Sequence, residues 1–322
     1  MWLQSKSMGG HQVILTVTVN PAVDKVYQVN SFAVGGVFRP NKMWVTAGGK
    51  GINVSRVASI LGEEVTATGF LGGNNGQFIR EQLGKQGIKD AFIKIAEETR
   101  TCIAINDPTS DTSTEVLELG PTIASQEQTD FLEHFRSAAG NTDIITMSGS
   151  LPNGIPMDFY GKLIKISKEY GKRVLLDTSG KALVEGIKYS PFMIKPNKSE
   201  LEAIIGRTLT EEDVLKAACD IHQKGIELVC VTLGAAGCIA ATAQGAFRLR
   251  APAVKTVNTV GSGDAFVAGC AVALSQNRSM EDVLKIGMAC GMANTQFAET
   301  GKVSCELVDR FFRMVSIEKI SI

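Results

Sequence analysis

The chain has 322 residues, which suits one large α/β domain with a small appendage as well as two domains of equal size. It carries 33 basic and 33 acidic residues, so no overall charge draws it to nucleic acid or to an anionic membrane surface. Its seven cysteines lack CxxC spacing, which argues against a disulfide framework or a zinc site and favours a reducing cytosol.

The N-terminal stretch MWLQSKSMGGHQ, residues 1–12, is short and polar, and we predict a disordered leader or tag-like segment there. No run approaches the roughly 18 uninterrupted apolar residues that a membrane helix needs. We therefore expect a cytoplasmic protein without a membrane partner, whose main domain spans residues 13–322.

From residue 13 onward, short β-branched runs alternate with helical patterns, which is typical of βαβ units. The apolar runs are continuous and do not alternate, which predicts a parallel sheet covered on both faces. Strands are predicted at 13–19, 65–72, 143–150, 173–180, 192–197 and 228–234, and helices at 51–62, 76–87, 157–171 and from Ser199, with two further helices at the C-terminus.

Two segments, 25–47 and 91–119, interrupt this rhythm because they are rich in strand patterns and too short for a crossover helix. We predict that they leave the main sheet and together form a small β lid. Strands inserted near the carboxyl edge of such a sheet are placed to cover a ligand. Exposed lid edges also pair readily between subunits, so we predict a homodimer through the lid.

The stretch NTVGSGDAFVAG, residues 258–269, puts two glycines before Asp264 at a predicted helix start. Glycines allow positive φ and close approach, and the first amides of a helix attract an anion, so the stretch could cradle a phosphate. Taken alone, Asp264 is better explained as a helix cap than as a functional carboxylate.

Further turn motifs follow predicted strands, and each alone fits an ordinary turn or cap. None is a Walker A loop, because GxxxxGK[ST] does not occur. Strand ends of a parallel sheet share one edge, where ligands bind, so together they predict a ligand crevice. They are TVNPAVD at 18–24, AGGKGIN at 47–53, MSGSLPNG at 147–154, IKPNKSE at 194–200 and VTLGAAG at 231–237.

With AGGKGINVSRVASILG at 47–62 and NTVGSGDAFVAG at 258–269, the chain resembles the PfkB or ribokinase-like family of carbohydrate kinases over roughly residues 13–310. Within the family it looks most like 1-phosphofructokinases and tagatose-6-phosphate kinases, through stretches such as ETRTCIAI, TEVLELGP and SGSLPNG. The resemblance implies a ribokinase-like doubly wound, mainly parallel sheet with a small β-strand lid.

The resemblance also implies roles for single residues. Asp264 would be the catalytic base, with Gly261, Ser262 and Gly263 neutralising charge on the transferred phosphoryl group. Lys50 would meet the phosphate of the substrate, since an unphosphorylated sugar needs no cation there. The substrate set is Asp24, Arg39, Gly48, Gly49, Lys50, Asn53, Arg100 and Ser148.

On the nucleotide side the resemblance implies ATP and Mg²⁺, with Glu200 acting on Mg²⁺ through water. Backbone carbonyls of Asn258 and Val260 match a monovalent-cation site of some relatives, but Phe297 and Glu299 depart from its pattern, which argues against potassium dependence. The ATP set is Lys195, Asn197, Thr232, Gly234, Gly237 and Asn294.

The resemblance therefore predicts ATP-dependent phosphorylation of a ketohexose monophosphate, with fructose 1-phosphate first and tagatose 6-phosphate as the alternative acceptor. A nucleoside kinase of the same fold, or a nucleotide-binding regulator without activity, are further alternatives. The small aromatic content of the lid, mainly Tyr27, Phe38 and Trp44, disfavours a nucleoside kinase, and the intact Asp264 disfavours an inactive regulator.

Overall fold

The computed structural model describes residues 13–320, so the predicted leader over residues 1–12 lies outside the described residues. Its strands are β1 (Val13–Thr18), β2 (Ala22–Gln28), β3 (Lys42–Gly48), β4 (Glu64–Gly72), β5 (Lys89–Asp90), β6 (Ile93–Ile95), β7 (Arg100–Asp107), β8 (Thr112–Leu117), β9 (Ile144–Ser148), β10 (Arg173–Asp177), β11 (Met193–Ile194), β12 (Leu228–Thr232), β13 (Cys238–Thr242), β14 (Gly245–Arg250) and β15 (Ser316–Ile320).

The helices follow the strands in the order that a doubly wound fold requires. They are α1 (Lys50–Ile60), α2 (Gly73–Lys85), α3 (Ser125–Gly140), α4 (Phe159–Glu169), α5 (Gly180–Ile187), α6 (Lys198–Ile205), α7 (Glu211–His222), α8 (Ser262–Ser275), α9 (Met280–Asn294) and α10 (Cys305–Met314). None of the helices within residues 13–320 is long and apolar enough to cross a membrane.

The main sheet has 11 strands, ordered β15-β14-β13-β12-β11-β10-β9-β1-β4-β5, with β6 also paired to β4. In this spatial order, neighbouring strands from β12 to β5 are parallel, whereas β13, β14 and β15 add antiparallel pairs at the other end of the sheet. One buried core lies under α1, α2, α8, α9 and α10, and a second lies under α3 to α7. The predicted doubly wound, mainly parallel sheet is confirmed.

Helix α8 accounts for the buried position of Asp264. Its sequence SGDAFVAGCAVALS is small and apolar all round, which is typical of a helix buried on every side, and its residues from Asp264 onward are buried. A Cβ on Gly269 would lie 3.0 Å from the α-carbon of Gly287 in α9, so the two helices pack backbone against backbone. The buried helix holds its first turn, and Asp264 with it, in a fixed position.

Four strands form a separate sheet in the order β3-β2-β7-β8, which we call the lid sheet. They derive from both segments predicted to form the lid, 25–47 and 91–119, but the boundaries differ. Strand β2 starts earlier, at Ala22, and β6 pairs with β4 of the main sheet because the chain leaves that sheet only after Ile95.

Three details of the predicted chain order are wrong. Strand β11 covers only Met193–Ile194, because the chain turns at Pro196 into the cap of α6. The turn after β12 returns as a hairpin, β13 and β14, that the predicted order omitted. Three helices and a final strand β15, rather than two helices, form the C-terminal region, where α10 follows the turn at Gly301.

The buried carboxylate of Asp107 ties the lid loops together. It accepts hydrogen bonds from the amides of Ser31, Phe32 and Thr109 and from the hydroxyl of Ser110, at 2.9 to 3.0 Å. Burial opposes its ionisation, but these hydrogen bonds lower the pKa of Asp107 to about 2. The connection is therefore present above the ordinary pKa of 3.8 and is lost as the pH falls toward 2.

We predict that Asp107→Asn loosens the loop after β2, because an amide offers one acceptor oxygen where the carboxylate offers two. Hydrogen exchange of peptides containing Ser31 and Thr109 should accelerate by at least about tenfold, with main-sheet peptides unchanged. Asp111→Asn, an exposed change in the same β7–β8 turn, is the matched control. Equal exchange in the two variants would contradict the assignment.

Candidate active site

Asp264 lies in the first turn of α8, directly after the glycine turn. Gly261 at the N-cap has a φ of 83°, a left-handed conformation that glycine adopts without strain. The amides of the first helical turn have no partner within the helix. The amide of Ser262 is partly engaged, since it donates to the carbonyl of Thr259 at 3.3 Å, so Gly263 and Asp264 offer the freer amides.

The carboxyl group of Asp264 is only 6% exposed and accepts a hydrogen bond from Nδ2 of Asn53 at 2.9 Å. Burial, and next the negative charge of Asp177, raise its pKa to about 7, against the opposing effects of Asn53, Lys50 and Lys195. A carboxylate with a pKa near neutrality can both accept and release a proton at physiological pH.

Two lysines converge on one oxygen of Asp177, at the end of β10. Nζ of Lys50 lies 3.5 Å and Nζ of Lys195 lies 3.4 Å from Oδ1. Lys195 is buried, and its Nζ would lie 3.1 Å from a Cβ on Gly263, so it also contacts the glycine turn. Lys50 is 40% exposed, and the charge of Asp177, opposed by burial, raises its pKa. Two cations therefore flank the site of the predicted phosphate cradle.

Asp24 on β2 lies across the backbone of Gly48 on β3, where any Cβ would overlap the carboxylate. Burial raises the pKa of Asp24 to about 6, although the positive charges of Arg100 and Arg56 oppose this shift. The Asp24 side chain is half-buried.

The two arginines of the predicted substrate set, Arg100 and Arg39, differ in their contacts. Arg100 donates from Nη1 to the carbonyl of Glu118 at 2.9 Å and from Nη2 to the carbonyl of Asn20 at 3.0 Å, so it bridges β7 to the end of β1. Arg39 is exposed on the loop between β2 and β3, with no hydrogen bond or ion pair inside residues 13–320.

Ser148 was predicted to contact substrate, but it is fully buried next to Asp177 in register, and its Oγ has no partner among the described residues. It faces the same side of the sheet as Thr18 and Asp177, which also carry a buried oxygen without a partner. The prediction of direct substrate contact therefore does not fit this conformation of Ser148.

The predicted nucleotide residues gather at the ends of β11 and β12. The amide of Thr232 donates to the carbonyl of Pro196 at 3.0 Å, which places Thr232 beside Asn197. Gly234 begins a short turn after β12. A Cβ on Gly237 would overlap the carbonyl of Leu249, so this turn packs directly against the backbone at Leu249.

Asn294 was predicted to bind ATP, and the structure places it inside the protein, behind the loop that leads to the glycine turn. It is fully buried, donates from Nδ2 to the carbonyl of Val260 at 2.9 Å and accepts from the amide of Gly301 at 2.9 Å. Both ends of its amide group are therefore used inside the protein. Asn294 supports the loop ahead of the glycine turn, and the Val260 carbonyl keeps one lone pair free.

Glu200 forms a capping box with Asn197 at the start of α6. Its Oε2 accepts from the amide of Asn197, and its own amide donates to Oδ1 of Asn197, both at 2.8 Å. Its negative charge also acts on Lys50, which places it near the lysine pair. Residues 13–320 contain no cluster of three or more acidic, histidine or cysteine side chains that could hold a metal ion alone.

The structure brings Asp24, Lys50, Asn53, Lys195 and Asp264 into one region, although two of the predicted motifs reach it differently. Gly48 ends β3 of the lid sheet and Lys50 begins α1 after it, whereas the Asp264 turn follows a segment without regular structure, residues 251–261. The assumption that every motif directly follows a main-sheet strand is therefore wrong.

Two residues of the site were not predicted as functional. Asp177 is in neither of the predicted substrate and ATP sets, yet its Oδ1 contacts both lysines. Arg56 lies one helical turn after Asn53 and contacts its side chain, with Nη1 at 3.3 Å from Oδ1. The i, i+3 spacing in the sequence could have indicated that pair, because such residues share a helix face.

A family model described as pfkB family carbohydrate kinase matches residues 17–305 of the chain. Tagatose-6-phosphate kinase from Staphylococcus epidermidis is 40% identical over 313 residues, which are 96% of this chain and 100% of that protein.

Solved structures agree with this match. A possible 1-phosphofructokinase from Thermotoga maritima has a TM-score of 0.89 at 28% identity, covering 96% of this chain and 100% of that chain. Phosphofructokinase-2 from Escherichia coli, in complex with potassium, has a TM-score of 0.88 at 27% identity, covering 94% and 99%. The family model covers most of the chain and the relatives match it over nearly its full length, so the chain belongs to the PfkB family of carbohydrate kinases.

Proposed function

We propose that this kinase transfers the γ-phosphoryl group of ATP to a hydroxyl group of a ketohexose monophosphate. The observation that carries the proposal is the buried Asp264 carboxylate, held by Asn53 beside a glycine turn and two lysines. A base, a set of amide donors and fixed cations are the parts that phosphoryl transfer needs. The names of the relatives, which are sugar-phosphate kinases, support the substrate class.

In the proposed reaction, Asp264 accepts the proton of the acceptor hydroxyl as its oxygen attacks the γ-phosphorus. The new O–P bond forms while the bond between the γ-phosphorus and the bridging oxygen of ATP breaks, which releases ADP. The amides of Gly263 and Asp264 and the cations of Lys50 and Lys195 face the charge that spreads over the transferred group. A pKa of about 7 lets Asp264 act as base at neutral pH and return the proton to solvent afterwards.

We propose that Asp24 and Asn53 orient the sugar. A half-buried carboxylate accepts hydrogen bonds from two hydroxyl groups, and its position over Gly48 fixes it at the mouth of the lid. Lys50 is the exposed member of the lysine pair, so it is the cation that a sugar phosphate can reach. Arg100 supports this arrangement by holding the carbonyl of Asn20, rather than by free contact with substrate.

We propose that Mg²⁺ enters with ATP and is bound partly through Asp177 and Glu200. Oδ2 of Asp177 is buried without a partner among the described side chains, and Glu200 retains one oxygen outside its capping box. Mg²⁺ commonly uses one or two carboxylates together with phosphate oxygens and water, so this donor set fits it. The ion would neutralise phosphate charge during transfer.

We predict that Asp264→Asn lowers kcat by about 100- to 10,000-fold, because the amide cannot accept the proton. Binding of ATP, measured by calorimetry, should survive, since the glycine turn and Lys195 are unchanged. Asp220→Asn, an exposed change on α7, should leave both quantities unaltered. Turnover by Asp264→Asn at the rate of the parent would overturn the assignment of the base.

The two candidate acceptors carry phosphate at opposite ends of a similar ketose. The name of the relative at 40% identity favours tagatose 6-phosphate, whereas that of the Thermotoga structure favours fructose 1-phosphate, which the sequence resemblance put first. We expect kcat/KM for one of these to exceed that for unphosphorylated fructose by about 100-fold, because Lys50 pairs with the phosphate. Faster turnover of nucleosides than of either sugar phosphate would refute the proposed substrate class.

We also propose that two copies pair through the lid sheet. Edge strands β3 and β8 expose Met43, Trp44, Val116 and Leu117, an apolar set at which a second lid could pack. A structure of Escherichia coli phosphofructokinase-2 is described as a tetrameric form, which supports self-association of this fold.

Light scattering after size exclusion should give twice the chain mass for the parent and the chain mass for Val116→Lys, because the buried charge disfavours the interface. Met157→Lys, at an exposed apolar residue outside the lid, should remain dimeric. A monomeric parent would contradict the proposal.

We place the protein in the cytoplasm. Its described cysteines are free, and all except Cys305 are buried, which suits a reducing compartment.

A further inference from the structure

Arg56 lies on α1, one turn after Asn53, and its guanidinium contacts three parts of the protein. Nη1 donates to the carbonyl of Thr300 at 2.7 Å, and Nη2 donates to the carbonyl of Ala47 at 2.7 Å. Nη1 also donates to Oδ1 of Asn53 at 3.3 Å, and Nε lies 3.4 Å from Oε1 of Gln86. A planar group with five N–H donors can serve these acceptors together, which a lysine cannot do.

The contact with Arg56 decides which way the amide of Asn53 points. With Oδ1 facing Arg56, Nδ2 faces Asp264 and donates to its Oδ2 at 2.9 Å. The reversed amide would put an acceptor oxygen against the carboxylate and two donors against the guanidinium. Without Arg56, the Oδ1 side of the Asn53 amide would lack the donor that favours this orientation, so Arg56 supplies the constraint.

The same guanidinium joins the site to two segments that connect elements of the fold. Ala47 is the residue before Gly48, where β3 of the lid sheet passes into α1. Thr300 precedes Gly301, whose amide donates to Asn294 and so supports the loop before the glycine turn. The orientation of the Asn53 amide is therefore fixed relative to both the lid and the loop that carries Asp264.

We propose that Arg56 is a positioning residue for the reaction, which acts by locking the Asn53 amide with its N–H toward the Asp264 carboxylate. The inference rests on the proposed function in taking Asp264 as the base. Arg56 touches neither reacting atom in this arrangement, so its effect passes through Asn53. The charged groups that face Asp264 are Asp177 on β10, Lys50 on α1 and Lys195 after β11, and Asp24 on β2 faces Arg56.

The decisive variant is Arg56→Met, which removes the donors and keeps much of the apolar stem. Burial of Asp264 then lacks the opposing N–H of Asn53, so the pKa of Asp264 rises and its base form is lost at a higher pH. We expect the acid limb of the kcat/KM profile to move up by about one pH unit. KM for ATP should stay within about twofold of the parent, because the nucleotide residues are not touched.

Asn53→Ala and the double variant separate positioning from general damage. Asn53→Ala should shift the acid limb in the same direction, and adding Arg56→Met to it should give no further shift, because residues acting through one contact are not additive. Arg80→Met is the matched control, since Arg80 on α2 also bonds a carboxylate and a carbonyl, those of Asp90 and Phe92. It should keep the parental profile.

Chemical rescue tests the guanidinium itself. Arg56 lines a cavity of about 480 Å³ together with Thr46, Ser59, Gln86 and Lys302, so a small cation can reach the space left by Arg56→Ala. Guanidinium chloride, against sodium chloride at the same ionic strength, should return the acid limb of Arg56→Ala toward the parent and leave Asn53→Ala unchanged. An equal effect on both variants would overturn the proposal.

The pKa of Asp264 is also measured without turnover, by ¹³C NMR of protein labelled at aspartate carboxyls, with the resonance assigned from Asp264→Asn. A folded Arg56→Met with the parental titration and profile overturns the positioning role. If Arg56→Met fails to fold, Arg56→Lys keeps the charge and stem but not the fork, and should shift the titration in the same direction. An active Asp264→Asn refutes the proposed base instead, and the NMR titration then still decides the Arg56–Asn53–Asp264 contact.

Discussion

The hydrogen bond from Asn53 to Asp264 is the interaction on which the site depends. A carboxylate that is nearly excluded from water is costly to ionise, and the nearby Asp177 increases that cost. The N–H of Asn53 offsets part of this cost, and the pKa of Asp264 stays near 7. Because Asn53 is on α1 and Asp264 is on α8, the bond also holds together the two helices that begin at glycine turns.

Asp177 has a second structural effect on charge. Its Oδ1 pairs with Lys50 at the start of α1 and with Lys195 after β11, which holds the two cations close together. Without that carboxylate, like charges would repel each other in a partly buried space. The cost is a raised pKa for Asp264, and the resulting balance suits a general base at neutral pH.

The lid is built on different principles from the main sheet. Its strands bury little apolar side-chain area, and its edges expose Met43, Val116 and Leu117, so its position depends on specific polar contacts. Asp107 fixes the distal loops, Arg100 joins β7 to the end of β1, and Arg56 holds the carbonyl of Ala47 at the return to α1. A small number of hydrogen bonds with defined geometry can orient the lid sheet without packing it into the hydrophobic core.

The sequence by itself determined the doubly wound sheet and the chemical nature of the site. Continuous β-branched runs and amphipathic helices leave few other ways to bury apolar surface, and glycine turns before Lys50 and Asp264 indicate backbone that must approach an anion. The last strand, β15, was less predictable, because it pairs with β14, which lies more than 60 residues earlier in the sequence.

Only the tertiary structure decided which polar groups are partners and which remain free. Asn294 and Ser148 are as polar in sequence as Asn197, yet packing buries them. Asp177 and Arg56 gain their contacts only because the fold brings distant segments to them. These contacts are with Lys195 for Asp177 and with Thr300 and Ala47 for Arg56. Local patterns report the preference of one segment, whereas a hydrogen bond or an ion pair across the fold depends on atoms placed within about 3 Å by the whole core.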